Sequence, residues 1–275
     1  MRATETNRRR SALLGAGMVM LAGMMAQPAA AAVIAPTTTA TFECPAGTII
    51  ARTDGQVVRA TGIRFAQAAR FEVPSPQPPA DEPIDATSWS PACPQRNGEG
   101  IVHDTFGDAA LGEMVGDEHA QYVSVTVPVE RRPDEALPVM VWIHGGSYII
   151  GAADAPCHDP AALVAEQRVV VVSVTYRLGL FGFLGDGINR PANLGLLDMI
   201  EALRWVQRNI ASFGGDPDAV TVFGESAGGD AVAQLMAADG VTGLGYDAAG
   251  NLKGVRQYGD GDATTTTYQY TYVNG

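Results

Sequence analysis

Ser226 stands in the stretch VTVFGESAGGD, with a glycine two residues away on either side. A Gly-x-Ser-x-Gly pattern is informative when it joins a strand to a helix, because the turn strains the serine backbone and only glycines let neighbouring main chain pass so close. The apolar run AVTVF precedes this turn, and a helical pattern from Ala227 to Met236 follows it. The pattern predicts a nucleophile elbow with Ser226 as the nucleophile. The residues that shape the elbow are Gly224, Glu225 and Gly228.

A second candidate for chemistry is the run HGGSY, from His144 to Tyr148, which follows the apolar run LPVMVWI. Consecutive small residues let main-chain N–H groups point at one oxygen, and donors held ready for an oxyanion contribute on the order of 3 kcal/mol each to catalysis. The run therefore predicts an oxyanion loop. We expect His144 to form a wall of this loop rather than to act as a base.

The elements that must position these two sites have the pattern of an α/β fold. LPVMVWI, VVVVSVTY and AVTVF are short, nearly continuous apolar runs, as expected of parallel strands buried on both faces. Between the last two runs, apolar residues recur at helical spacing and the pair Gly214-Gly215 ends the helix. These apolar residues are Leu196, Ile200, Leu203, Val206 and Ile210.

Upstream of these runs the pattern is antiparallel. Asp54-Gly55 between TIIART and QVVRAT predicts a hairpin. Residues 71–94 are predicted to be irregular because prolines and polar residues are frequent there. YVSVTVPV, Tyr122 to Val129, alternates like a strand with one exposed face.

Taken together, these motifs resemble the N-terminal part of the type-B carboxylesterases, a group that includes cholinesterases and the non-enzymatic neuroligins. DATSWSPACPQ, VMVWIHGGSY, VVVVSVTYRLGLFGFL and the run from ANLGLLDMIEAL through GESAGG carry the resemblance, over roughly residues 46–244. It implies an α/β-hydrolase fold, truncated after the nucleophile helix, and Ser226 as the acyl-forming nucleophile. The oxyanion donors that it implies are Gly146, Ser147 and Ala227. Many members of the family have Gly or Ala where Ser147 stands, a mild departure because the donor is the backbone amide.

The catalytic base is the main departure. In α/β-hydrolases the acid and then the histidine follow the serine along the chain. All four histidines of this sequence precede Ser226. The expectation is therefore a carboxylic ester hydrolase by family that is nearly inactive as written, because a serine without a base is a weak nucleophile.

Three cysteines leave at least one thiol unpaired, and the sequence alone does not select a pair among Cys44, Cys93 and Cys157. In the family pattern a cysteine stands where this chain has Ala120, so the resemblance makes Cys44 the expected partner of Cys93 if a disulfide forms. Neither the cysteines nor the histidines have metal-ligand spacing, and no cofactor or metal is expected.

The first 31 residues have a basic start, an apolar middle and a small-residue end, which predicts an export signal. Arg9 and Arg10 before SAL favour a twin-arginine signal slightly over a Sec signal. Removal of residues 1–31 changes the formal net charge from −12 to −15 by deleting four arginines and one glutamate. An exported, acidic protein is expected, periplasmic or secreted, with a small-molecule ester as partner and neither nucleic acid nor a membrane after cleavage.

The composition changes near Gly243, and the last part, from Gly245, resembles an Rhs/YD repeat. The predicted organisation is an export signal (1–31), a partial carboxylesterase domain (32–244) and a short β-rich tail (245–275). LKGVRQY and TTTTYQYTY are expected to form a hairpin, and the sheet is expected to end at AVTVF with an open edge. Two alternatives to an esterase stay open: a non-catalytic binding or adhesion protein, and a gene-fusion fragment.

Overall fold

The computed structural model describes residues 38–95, 116–132, 134–237, 244–246, 252–255 and 267–268. The predicted export signal, residues 1–31, lies outside the described residues. The described residues include no helix long and apolar enough to cross a membrane.

The described strands are β1 (Thr39–Cys44), β2 (Gly47–Asp54), β3 (Val57–Arg64), β4 (Ala66–Gln67), β5 (Ser75–Pro76), β6 (Ile84–Ala86), β7 (Tyr122–Pro128), β8 (Leu137–Ile143), β9 (Val170–Thr175), β10 (Gly215–Gly224), β11 (Leu244–Tyr246), β12 (Leu252–Val255) and β13 (Thr267–Tyr268). The described α-helices are α1 (Ala161–Gln167), α2 (Gly179–Phe183), α3 (Leu194–Asn209) and α4 (Ala227–Ala237). Two 3-10 turns, Pro156–His158 and Ile210–Phe213, complete the described elements.

One large sheet organises the chain, with the strand order β1-β2-β3-β7-β9-β8-β10-β13 and β6 paired to β2. Strand β6 pairs with β2 in parallel. Strands β8, β9 and β10 are parallel, whereas β1, β2, β3 and β7 pair antiparallel in that order and β7 runs antiparallel to β9. The carboxyl ends of β8 and β10 therefore lie side by side, with Gly224 opposite Ile143. This edge carries both sequence motifs.

Helices cover the two faces of this sheet. Helix α1 contacts β7 and β3 on one face, and its Val164 packs with Val171 of β9. Helices α3 and α4 contact β10 on the other face, where Val170, Val172 and Val174 join the main core. The predicted α/β arrangement is confirmed; β9 is buried along its whole length, whereas β8 and β10 have some partly exposed residues.

The prediction of a hairpin at Asp54-Gly55 is confirmed, since β2 and β3 pair antiparallel around a turn in which Gly55 has φ +62°. The prediction that residues 122–129 expose one face is wrong, because every residue of β7 is buried. The polar face of β7 lies against other parts of the chain, where Ser124 donates a hydrogen bond of 3.0 Å to Asp154.

The predicted long helix is α3, and it ends through the 3-10 turn at Gly214, which has φ +83°. Of the five predicted apolar positions, Leu203, Val206 and Ile210 are buried, while Leu196 and Ile200 are partly buried. The core face of the helix also includes three residues that are not among the five predicted positions, namely Met199, Ala202 and Trp205.

A buried ion pair fixes α3 to the end of β9. Arg177 donates two hydrogen bonds of 2.8 Å to the Asp198 carboxylate through Nε and Nη2, and its backbone N–H donates a third of 3.1 Å. Nη1 of Arg177 donates to the Glu72 carbonyl at 2.8 Å. Both charged side chains are almost fully buried, so each one is the charged partner that compensates the burial of the other.

The expected open edge at β10 is also wrong within the described residues, since β13 pairs with β10 in parallel at Ala219 and Val220. The expected tail hairpin is not formed by its described parts: β12 pairs with β11, and β13 pairs with β10. The residues between β12 and β13, 256–266, lie outside the described residues.

The disulfide that the resemblance favoured if one formed, Cys44–Cys93, is absent, and both cysteines are thiols. The Cys44 thiol donates to the Gly47 carbonyl at 3.2 Å inside the β1–β2 turn. Cys93 is buried, where its sulfur accepts a hydrogen bond of 3.2 Å from the backbone N–H of Leu178. Local partners in two different places therefore hold these sulfurs.

Candidate active site

The turn between β10 and α4 has the geometry of a nucleophile elbow. Ser226 has φ +53°, in the left-handed region that a serine adopts at a cost of order 1–3 kcal/mol. A Cβ added at Gly224 would lie 2.5 Å from the carbonyl carbon of Gly228, and one added at Gly228 would lie 2.0 Å from the Ile143 carbonyl oxygen. Neither position tolerates a side chain, so the glycines of the motif permit the close crossing of β8, β10 and α4.

The elbow presents its serine to solvent at the start of a helix. Ser226 and Glu225 are exposed, and Ala227 begins α4. The Glu225 carbonyl accepts from the Gly228 N–H at 2.8 Å, and the Ser226 carbonyl accepts from the Asp230 N–H at 3.0 Å. The N-terminus of an 11-residue helix favours negative charge next to it, so a developing oxyanion at Ser226 is stabilised there.

The HGGSY run forms a tight loop after β8. Gly146, Ser147 and Tyr148 have φ values of +106°, +53° and +61°, three successive residues in the left-handed region. The Gly146 carbonyl accepts from the N–H groups of Ile149 and Ile150 at 3.0 and 3.1 Å. A Cβ at Gly146 would lie 2.2 Å from the Ile150 carbonyl oxygen, so this turn requires glycine at that position.

The loop and the elbow lie against each other. A Cβ added at Gly145 would be 2.6 Å from the Glu225 carbonyl oxygen and 3.2 Å from the Ser226 Cβ. The main chain that leads into Gly146 and Ser147 therefore passes directly beside Ser226, and Ala227 follows it in sequence. The structure brings together all the residues that the sequence assigned to the elbow and the oxyanion loop.

A side-chain contact joins the loop to the elbow helix, and the sequence patterns did not indicate it. The Tyr148 hydroxyl donates a hydrogen bond of 2.7 Å to the Asp230 carboxylate, one turn into α4. Burial, and then the Asp230 carboxylate, raise the pKa of Tyr148 above its ordinary value, so the phenol stays protonated as the donor. Because Tyr148 and Asp230 are 82 residues apart, only the fold reveals this contact.

His144 forms a wall of the loop, as expected. No hydrogen bond joins its ring to Ser226. Its ring is fully buried and stacks on Tyr176 at 4.4 Å, and Nδ1 donates to the Gly145 carbonyl at 2.8 Å. The Tyr176 hydroxyl donates to the His144 carbonyl at 2.8 Å. Burial lowers the pKa of His144 to about 4, against the pull of the Gly145 carbonyl and with a smaller lowering contribution from His158, so the ring is neutral at pH 7.

The structure describes three of the four histidines, and none of these three is hydrogen-bonded to Ser226. His119 contacts the Ala68 carbonyl, and the His158 ring packs against Trp142. In the part of the chain that the structure describes, no group of three or more His, Cys, Asp or Glu side chains has a geometry that could hold a metal ion. The described site therefore consists of a turn with the geometry of a nucleophile elbow and the glycine-rich loop beside it, built from main chain and small residues.

A strained serine between a parallel strand and a helix, beside a glycine-rich loop from the neighbouring strand, defines an α/β-hydrolase. The model of the carboxylesterase family matches residues 46–247, and the chain belongs to this family.

Relatives of this chain support both the α/β-hydrolase class and the carboxylesterase family. It is 38% identical over 236 residues to a para-nitrobenzyl esterase of Bacillus subtilis (strain 168), a match that covers 83% of this chain and 47% of that protein. It is 44% identical over 193 residues to carboxylesterase 3B of Mus musculus, covering 67% of this chain and 33% of that protein. It is 43% identical over 190 residues to an acetylcholinesterase of Bungarus fasciatus, covering 65% of this chain and 30% of that protein.

Among solved structures, a PNB esterase superposes with a TM-score of 0.65 at 40% identity, covering 73% of this chain and 41% of that one. A thermophilic PNB esterase gives a TM-score of 0.64 with the same identity and coverage. The α/β-hydrolase fold is confirmed. The chain spans less than half the length of the curated relatives described above.

Proposed function

We propose that this protein is a carboxylic ester hydrolase in which Ser226 forms a covalent acyl intermediate with a small-molecule ester. The observation that carries the proposal is the 3.2 Å between the Ser226 Cβ and the position of a Cβ at Gly145, which brings the glycine-rich loop to the nucleophile. Family membership and relatives named as esterases support the same reaction class.

The chemistry follows from the geometry of the turn and the loop. The Ser226 oxygen loses its proton and attacks the ester carbonyl carbon, and the carbonyl oxygen acquires negative charge in the tetrahedral intermediate. The intermediate then breaks its bond to the alcohol oxygen, which leaves the acyl group on Ser226 and releases the protonated alcohol; water afterwards hydrolyses the acyl-enzyme and releases the acid. The backbone N–H groups of Gly146, Ser147 and Ala227 are the donors for that oxygen, each worth about 3 kcal/mol of transition-state stabilisation. The dipole of α4 acts in the same direction.

Proton transfer limits the rate. The serine proton needs an acceptor, and the leaving alcohol needs a donor, roles that a histidine has in this reaction class. No histidine follows Ser226 in this sequence, and the described histidines do not contact it. We therefore propose that this 275-residue chain acylates Ser226 slowly, orders of magnitude below an enzyme with a full triad, through oxyanion stabilisation alone.

The test is acylation of the purified chain by 4-nitrophenyl acetate, with the site located by peptide mass spectrometry. We expect slow labelling at Ser226 and none at that position in Ser226→Ala, while the exposed Ser88→Ala variant labels like the wild type. Fast, Ser226-dependent turnover would overturn the proposed slow rate. Absence of labelling at Ser226 would overturn the esterase proposal and favour the non-catalytic binding alternative.

We propose the following organisation for the whole chain: an export signal over residues 1–31, the carboxylesterase part over residues 32–244 and a short β-rich tail over residues 245–275. The basic-apolar-small pattern of the first segment and the formal net charge of −12 for the chain support an exported acidic protein rather than a nucleic-acid-binding one. Expression in a bacterial host tests the first boundary. A periplasmic or secreted product whose N-terminus lies near residue 32 is expected, and a full-length cytoplasmic product contradicts it.

A further inference from the structure

The oxyanion loop is attached at its far end to a side chain from a distant part of the chain. Nε2 of Gln95 donates to the Gly151 carbonyl at 2.9 Å, and the Gly151 N–H donates back to Oε1 of Gln95 at 2.6 Å. The amide therefore pairs with both main-chain groups of one residue, as a neighbouring strand would. Nε2 also donates to the Cys93 carbonyl at 3.0 Å, which fixes the orientation of the Gln95 amide.

Gly151 transmits this attachment to the start of the loop. It has φ +115°, and a Cβ added there would lie 2.3 Å from Nδ1 of His144 and 2.7 Å from the Gly145 carbonyl oxygen. Gly151 therefore packs directly on the hydrogen bond in which His144 donates to the Gly145 carbonyl. The contacts run from Gln95 through Gly151 and His144 to Gly145, which lies against Ser226.

We propose that Gln95 is a positioning residue for the oxyanion loop. By pairing with Gly151 it closes the segment 145–151 against the His144 ring and holds the amides of Gly146 and Ser147 in their strained backbone conformation beside Ser226. Gln95 contacts neither the substrate nor the nucleophile. This inference rests on the proposed function, because an oxyanion loop matters only if Ser226 forms a tetrahedral intermediate.

The geometry favours a positioning role over a purely structural one. The Gln95 amide donates to two carbonyls and accepts from one N–H, and two of these three main-chain groups belong to Gly151. Residues 146–148 have left-handed φ values that persist only when surrounding contacts fix them. The middle of the loop has its own attachment through Tyr148 and Asp230, so removal of Gln95 releases the far end alone.

The experiment uses Gln95→Glu, which keeps the shape and the acceptor but loses the donor to Gly151, and Gln95→Ala, which loses both. The matched control is Gln56→Ala, at an exposed glutamine in the β2–β3 turn.

Phosphonylation of Ser226 by a fluorophosphonate probe reports on the oxyanion loop, because negative charge develops on the phosphoryl oxygen. In a Ser226→Cys background, alkylation of residue 226 by iodoacetamide reports on access and the elbow, because that displacement forms no oxyanion. Site-resolved mass spectrometry separates this thiol from the other cysteines.

We expect Gln95→Glu and Gln95→Ala to lower the phosphonylation rate about tenfold, in line with the loss of one to two hydrogen bonds. Alkylation at residue 226 should stay within about twofold of the Gln95 parent, because the elbow is intact. Hydrogen exchange of residues 145–151 should be faster in both variants and unchanged in Gln56→Ala.

The outcomes separate the two proposals. Equal phosphonylation rates in the wild type and in both Gln95 variants, with Ser226 labelled in each, overturn the positioning role and leave the proposed function intact. A parallel fall in phosphonylation and alkylation also overturns it, because the variant then disturbs the whole turn. Absence of Ser226 phosphonylation in the wild type overturns the proposed function and, with it, the inference.

Discussion

Replacement of His144 by Phe tests whether the loop depends on a buried neutral imidazole. Burial lowers the pKa of His144 from 6.5 to about 4, so the unfolded chain binds a proton more tightly than the folded one. The contribution of the neutral His144 ring to the free energy of unfolding is fully present above about pH 6.5 and is lost as the pH falls towards 4. Its total size is about 3 kcal/mol, of which roughly 1.4 kcal/mol is lost between pH 8 and pH 5.5.

The Phe variant keeps the stacking surface against Tyr176 and cannot titrate. It leaves the Gly145 carbonyl without the imidazole donor, which costs about 1–3 kcal/mol at every pH. The free energy of unfolding of the variant should therefore lie below that of the wild type at pH 8. This difference in the free energy of unfolding should narrow by roughly 1.4 kcal/mol at pH 5.5, because only the wild type has the imidazole whose protonation favours the unfolded chain.

The assay is urea unfolding followed by tryptophan fluorescence at half-unit steps from pH 8 to pH 5.5, above the sequence isoelectric point near 4.7. His158 titrates in the same direction, because burial lowers its pKa against the opposing pull of Glu225. It is present in both proteins, so the difference between them isolates His144. Two pH profiles that run parallel over the whole range would refute a neutral buried His144.

Three other variants test the packing behind the site. Asp198→Ala leaves the Arg177 guanidinium buried without its partner and should lower the free energy of unfolding by about 3–5 kcal/mol, against 1 kcal/mol or less for an exposed pair, as measured by urea unfolding. Gly228→Ala places a Cβ 2.0 Å from a β8 carbonyl and should abolish soluble folded protein, whereas Gly229→Ala, with its nearest atom at 3.3 Å, should fold normally by circular dichroism. Burial raises the pKa of Cys93 to about 11, so at pH 8 a thiol reagent should modify it only after urea is added, and modification without urea would contradict its burial.

The elements next to the site were predictable because each one carries a local signal. The Gly224 and Gly228 positions admit no side chain, and an Asp-Gly turn specifies a hairpin by its backbone preference alone. The error at β7 has a physical cause: its Ser124 and Thr126 alternate with valines as exposed residues would, yet both are buried under the rest of the chain. Burial of a hydroxyl depends on a distant partner such as Asp154, which periodicity does not encode.

The sequence also indicated the loop and the elbow but not what holds them together. The contacts between Tyr148 and Asp230 and between Gln95 and Gly151 join residues 82 and 56 positions apart. No spacing rule links such pairs, since they arise from the order of the strands in the sheet. The same limit applied to the tail, where β13 adds to β10 in place of the expected hairpin.

Local sequence motifs and contacts between distant residues correspond to two different parts of the proposed reaction. The proposed oxyanion stabilisation uses main-chain groups in turns that depend on glycines close to each other in sequence, and the structure places these turns beside Ser226. Proton transfer needs a side chain that the fold must bring from elsewhere, and no described histidine contacts Ser226. If the proposed function is right, the acylation rate of this chain should measure the oxyanion contribution with little addition from a base. A base supplied in solution, such as imidazole, should raise that rate in proportion to its concentration, and Ser226→Ala should abolish the increase.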